Sequence, residues 1–147
     1  MKIIVPGKPQ GKARARTVTR ANRTHSYTPQ KSIDYERLIA VSYKSQRGGY
    51  FAREPVNLIV AAFYPIPKSW TRLQIESALN GDTVPTTKPD CDNCLKIVAD
   101  ALNGVAYEDD KQIVSATITK HYCHSPRIEV TISPAWSHMK TINLSKR

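Results

Sequence analysis

The sequence predicts a single α/β (α+β) domain, a mixed sheet of about four strands with helices packed against it. Three observations predict this. The chain has 147 residues, 40% of them hydrophobic, enough for one core without a disulfide or metal scaffold. Apolar residues recur at helical spacing in some segments and as alternating or continuous β-branched runs in others. Short turn signals separate these segments, with no internal repeat or low-complexity tract. One domain spanning 1–147 is therefore expected.

Lys2 to Pro6 is a short apolar run of the kind that opens a sheet. Gly7 to Tyr27 contains Gly7, Pro9 and Gly11 and has no apolar periodicity, so it reads as a long basic loop or arm. Thr28-Pro29 supplies an N-cap and a proline at the first helical position. Tyr35, Leu38, Ile39 and Tyr43 then recur at helical spacing, which predicts a helix from about Pro29 to Gln46 that ends at Gly48-Gly49. Val56 to Tyr64 is nearly continuously apolar and is closed by Pro65 and Pro67, the pattern of a buried central strand.

Thr71 to Leu79 reads as a short helix stopped by Asn80-Gly81, and Pro85 to Pro89 as a proline-punctuated loop. The next helix carries Leu95, Val98, Ala99 and Leu102 at i, i+3, i+4 and i+7, with Asn103-Gly104 as its stop. Val114, Ala116 and Ile118 alternate with polar residues, as do Ile128, Val130 and Ile132. The short Cys123 to Pro126 link predicts an antiparallel hairpin between these last two strands. Residues 134–147 read as a polar tail with a lone Trp136.

Charge is distributed unevenly. The chain carries 22 Lys and Arg against 12 Asp and Glu, a net +10 with pI ≈ 9.7, which points to polyanions, nucleic acid first. Lys2, Lys8, Lys12, Arg14, Arg16, Arg20, Arg23 and Lys31 precede the first carboxylate, Asp34. Asp82, Asp90, Asp92, Asp100, Glu108, Asp109 and Asp110, by contrast, crowd into a short stretch of an otherwise basic protein. Like charges so placed raise one another's pKa unless a cation separates them. No segment approaches the ~18 consecutive apolar residues of a membrane span, and the opening run is too short for a secretory segment. A soluble, cytoplasmic protein without membrane association is expected, and an odd number of cysteines, three, argues against a disulfide framework.

The acidic residues fall at informative places. Proline at 89 biases Lys88 toward extended backbone, which puts Asp90 at the entrance of the helix, where a carboxylate can cap free N–H groups. Asp92, Lys96 and Asp100 follow at steps of four, one polar stripe drifting by about 40° per step, opposite the Leu95/Val98/Leu102 face. Asp109 and Asp110 come after the turn that ends the helix, so the chain can return them beside the first pair. Carboxylates without a matching histidine set suit hard cations, Mg²⁺ or Mn²⁺. On a basic protein, that chemistry is what phosphodiester hydrolysis needs: a metal to orient a water and neutralise transition-state charge, and Lys96 to stabilise the phosphorane or the leaving oxygen. Taken singly, each motif is also an ordinary cap, surface ion pair or turn.

The stretch from Lys88 to Ile113 resembles the RusA family of Holliday junction resolvases. It carries Asp90-Cys91-Asp92-Asn93, then Lys96, then Asp100-Ala101-Leu102-Asn103-Gly104, then Asp109-Asp110, in the family's order. The Gly7-Lys8-Pro9 to Tyr27-Thr28-Pro29 portion is similar to the longer-armed, phage-borne branch. The resemblance implies a small homodimer that binds four-way DNA junctions and nicks two strands symmetrically with Mg²⁺ or Mn²⁺. It implies catalytic carboxylates at Asp90, Asp92 and Asp110, a catalytic lysine at Lys96, and Asp109 as a further metal ligand. Where relatives carry arginines just before the first Asp, this chain has Thr86-Thr87-Lys88-Pro89. The expected DNA contacts accordingly fall on Lys8, Lys12, Arg14, Arg16, Arg20, Arg23 and Lys88. Two other readings stand beside this one: a metal-dependent nuclease for other branched DNA, and a non-catalytic nucleic-acid-binding module.

Cys91 and Cys94, with His121, Cys123 and His124, would in principle make a zinc set. Their interleaving with Asp90 and Asp92 argues against it, and Cys94 and Cys123 read as small semi-buried residues.

Overall fold

A computed structural model describes residues 1–135. Its strands are β1 (Lys2–Pro6), β2 (Arg16–Arg20), β3 (Arg23–Tyr27), β4 (Val56–Pro65), β5 (Ile113–Cys123) and β6 (Arg127–Pro134). Its helices are α1 (Gln30–Ser45), α2 (Arg72–Leu79) and α3 (Cys91–Leu102), with a 3₁₀ turn at Asp110–Gln112. One sheet has the order β1-β6-β4-β5, and β2 pairs only with β3.

β4 is the strand on which the sheet depends. Its near-continuous apolar run is buried because it has a neighbour on each side, β6 antiparallel and β5 parallel. Alternation along the strands then sorts one face to the helices. Ile3 and Val5, Leu58, Val60, Ala62 and Tyr64, and Ile128, Val130 and Ile132 are buried there against Tyr35, Ile39 and Tyr43 of α1 and Ile97, Val98 and Leu102 of α3. On the other face Phe63 is covered by the Arg127 guanidinium, 4.0 Å from its ring centre, and stacked by His121 at 5.1 Å. The four-strand mixed sheet with helices against it agrees with the sequence expectation.

Two expectations are corrected. β5 and β6 do not form a hairpin, since β4 lies between them. Alternation reports which face a residue occupies, not which strand is its neighbour. The link of three residues, His124 to Pro126, suffices to cross two inter-strand spacings, about 9.6 Å, because each extended residue reaches about 3.3–3.6 Å. The basic arm, second, is not loop throughout. Its outer part is an antiparallel ribbon closed by Ala21 and Asn22 at φ 47° and 60°, the backbone that a two-residue type I′ turn requires. Arg-Thr-Val-Thr-Arg and Arg-Thr-His-Ser-Tyr carry β-branched residues but bury neither face, so no apolar pattern announces them. The tail expected over 134–147 lies outside the described residues from 136 onward; within them Pro134 closes β6 and Ala135 is buried. No described helix is long and apolar enough to cross a membrane.

Two substitutions separate core from ribbon. Leu58→Ala, in the doubly flanked β4, should lower unfolding free energy in urea by about 2–5 kcal/mol, whereas Val18→Ala in the ribbon should change it by less than about 0.5 kcal/mol.

Candidate active site

The acidic helix starts where the sequence places it. Asp90 is the N-cap of α3 with extended backbone, φ −71° and ψ 164°. Its carboxylate does not cap the backbone as expected; it accepts the side-chain amide of Asn93 at 2.8 Å. That hydrogen bond, with smaller help from Lys88 and Lys120, holds the carboxyl below its ordinary pKa. Asp92 sits in the first turn of α3, exposed. Lys96, also exposed, lies 3.6 Å from Asp100 Oδ1, as the four-residue spacing predicts.

The base of the arm lies across this helix entrance. Lys12 N–H donates to the Asn93 carbonyl at 3.0 Å, and a Cβ on Gly11 would stand 2.8 Å from Pro89 Cβ and 2.9 Å from Asn93 Cβ. Only glycine allows so close a crossing. Ala13 N–H continues the attachment, donating to Ser32 Oγ of α1 at 3.1 Å. The Lys12 ammonium then reaches past α3 to bridge Glu36 of α1 and Asp100 of α3, the latter at 3.0 Å. Burial opposes its charge, but the two carboxylates outweigh burial and raise its pKa.

A cleft of about 1020 Å³ opens between the arm base and the helix. Lys8, Lys12, Arg14, Arg16, Lys31 and Lys88 contribute to its wall, and Asp90 and Asn93 stand at the same wall. Of the cations expected to meet DNA, Arg20 and Arg23 are absent from it, facing each other across the far end of the ribbon. Lys12 is in the wall, but its charge is already answered by Glu36 and Asp100.

The second acidic pair returns by a built turn. Gly104 (φ 67°) donates its N–H to the Tyr107 carbonyl, and the buried Tyr107 hydroxyl donates to the Ala99 carbonyl at 2.9 Å. Asp109 is occupied structurally. It caps the 3₁₀ turn, accepting the Lys111 N–H at 2.9 Å, and chiefly that bond lowers its pKa. Gln112 anchors the turn to the Phe51 carbonyl at 2.9 Å and the Glu54 carbonyl at 3.1 Å. Asp110 is exposed, and its charge, like that of Asp100, bears on the Tyr107 hydroxyl.

Asp110 is thus returned to the side of α3, while Asp90 and Asp92 stand at its entrance. Among the described residues no three His, Cys, Asp or Glu side chains stand together as a set able to hold a metal ion. The donors present are exposed carboxylate oxygens beside a cationic cleft. They do not form a closed protein cage. Their chemistry fits a hard cation that takes its remaining ligands from water and phosphate, as Mg²⁺ does with one or two carboxylates. The zinc set is likewise not assembled: Cys94 is buried 3.5 Å from the Tyr64 hydroxyl, while His121 stacks on Phe63 on the other sheet face.

A scan of family models matches residues 6–133 to the endodeoxyribonuclease RusA family. The chain belongs to the RusA family. A relative, the uncharacterized protein YqaN of Bacillus subtilis (strain 168), is 37% identical over 134 residues, covering 90% of this chain and 94% of its own. The matched range, residues 6–133, contains both the acid-bearing helix and the cationic cleft.

Lys120 is a neighbour of this site that the motifs did not reveal. It is the one cation of β5, donates to the Thr87 carbonyl at 2.6 Å, lies 4.9 Å from the Tyr64 ring centre, and adds to the field that keeps Asp90 ionised. A single lysine in a strand of Ser, Ala, Thr and Ile was the available signal. Gly11 carried none, because its role is a close approach between segments distant in sequence.

Two measurements test this geometry. Asn93→Ala should raise the Asp90 carboxyl pKa toward its ordinary 3.8, read by ¹³C NMR titration. Lys12→Met should cost about 1–3 kcal/mol in unfolding free energy at neutral pH. A raised lysine pKa stabilises fully below the unfolded value of 10.5 and less as pH climbs through the folded one. The gap between parent and variant should therefore narrow above pH 10.5.

Proposed function

We propose that this protein is a structure-selective endodeoxyribonuclease that resolves four-way DNA junctions by paired symmetric nicks, acting as a homodimer with Mg²⁺ or Mn²⁺ in DNA recombination and repair. The observation that carries the reading is the cationic cleft whose wall contains the ionised Asp90 at the mouth of α3. A phosphate backbone drawn into that cleft by Lys8, Arg14, Arg16, Lys31 and Lys88 arrives at carboxylates rather than at more cations.

Asp90 and Asp92 would hold the ion, with Asp110 joining from the side of the helix. When bound, such an ion neutralises charge on the phosphate and lowers the pKa of a coordinated water. The chain's own residues do the rest. The cleft cations orient the strand, and Asn93 fixes the Asp90 carboxylate by its 2.8 Å hydrogen bond. Lys96, one turn after Asp92 and only loosely tied to Asp100, can swing to the leaving oxygen. Lys12 and Asp109 act as positioning residues, the first bracing α3 against α1 and the arm, the second shaping the turn that presents Asp110.

The test is incubation of the protein with a fixed four-way junction and a matched linear duplex, with and without Mg²⁺. Symmetric nicking of the junction alone, only with metal, is the expected result; no cutting of any branched DNA would return the protein to the binding-module reading. Asp92→Asn should retain junction binding and lose cleavage by about 100-fold or more. Lys96→Met should slow cleavage without weakening Mn²⁺ binding.

A further inference from the structure

The β2–β3 ribbon has two chemically distinct faces. Antiparallel register pairs Arg16 with Tyr27, Val18 with His25 and Arg20 with Arg23, so these six share one face. The other face is all hydroxyl: Thr17 opposite Ser26, and Thr19 opposite Thr24, whose oxygens lie 3.3 Å apart. Every residue of both strands is exposed. Among the described residues no carboxylate answers the cationic face. Arg14, Arg16, Arg20 and Arg23 have no ion pair among the described residues, and Arg20 and Arg23 are set directly opposite each other, where like charges repel.

Arg20 and Arg23 opposite each other repel in the free protein, and a bound anion would relieve that repulsion. A two-stranded ribbon without a packed face is also marginal on its own. Position decides which anion. Arg16, the first residue of the cationic face, also lines the cleft beside Asp90, so the face continues that cleft outward. The five-residue strands extend it by about 17 Å, half of one turn of B-DNA. A two-stranded ribbon also matches the ~12 Å width of the DNA major groove.

We infer that the Arg16/Arg20/Arg23 face of the ribbon is a second DNA contact, gripping the phosphates of a duplex arm about half a helical turn from the strand held in the cleft, while the Thr17/Thr19/Thr24/Ser26 face points away from DNA. This deepens the endonuclease reading and rests on it. It assigns the ribbon to duplex flanking the site of attack. Val18 and Tyr27, each about half exposed at 47% and 48%, give the same face apolar surface between its arginines.

The experiment measures binding of a labelled four-way junction by anisotropy across a salt series in EDTA, where no strand is cut. Arg16→Ala, Arg20→Ala and Arg23→Ala combined should reduce the slope of log K against log[salt] by about 2–3, near 0.9 per lost phosphate contact. Thr17→Ala, Thr19→Ala, Thr24→Ala and Ser26→Ala combined should leave it unchanged. Replacing the same three arginines by lysine keeps charge and should keep the slope, which separates lost contacts from a collapsed ribbon. An unchanged slope in the arginine-to-alanine protein, an equal loss in the hydroxyl-face protein, or a loss in the lysine protein would each overturn the assignment. Because the readout needs no cleavage, it is separable from the endonuclease reading, which fails instead if the parent binds the junction but cuts no branched DNA in Mg²⁺.

Discussion

The crossing of the Gly11–Ala13 segment over the first turn of α3 is the contact on which the site depends. A basic arm and an acid-bearing helix about eighty residues apart in sequence become one surface there, through a backbone hydrogen bond from Lys12 to Asn93 and a glycine pressed on Pro89 and Asn93. Lys12 secures the crossing from the other side by bridging Glu36 and Asp100. Without this contact the cations would form a tail and the aspartates a surface cluster. With it, a polyanion attracted by one is delivered to the other.

Lys12 is paired with two carboxylates and Glu129 with Lys2 and Arg127, while the half-buried Lys120 is held by the Thr87 carbonyl and the Tyr64 ring. The charges assigned to DNA and metal are the exposed ones, Asp90, Asp92 and Asp110 on one side and the arm arginines on the other. α3 rises about 1.5 Å per residue, so carboxylates at its entrance and one held against its flank are not gathered by folding alone. On the proposed reading, a phosphate and its attendant cation would complete such a set, with DNA contributing ligands to the site.

Much of this was legible in the sequence because local rules governed it. The α3 face of Leu95, Val98 and Leu102, the β4 run, the short helix stopped by Asn80-Gly81, and the spacing of Asp92, Lys96 and Asp100 follow from periodicity and turn chemistry. What was not legible depends on contacts between distant segments. Strand order is one case: β4 inserts between β5 and β6 because its buried run needs two neighbours, and the alternation in β5 and β6 carries no record of that. Asp90 is a local exception: its carboxylate is taken by the Asn93 side chain three residues on, in competition with the helix backbone, and spacing does not say which wins. The ribbon escaped notice because a strand with two polar faces lacks the apolar pattern that marks strands in a core.

Mn²⁺ uptake measured by electron paramagnetic resonance, on the protein alone and on its complex with a hydrolysis-resistant four-way junction, addresses the central claim most directly. DNA and the Asp90–Asp92 turn should bind the ion together: uptake should tighten at least about tenfold when the junction is present, and Asp92→Asn should abolish the gain. Equal uptake with and without DNA, or a gain that survives Asp92→Asn, would contradict the account.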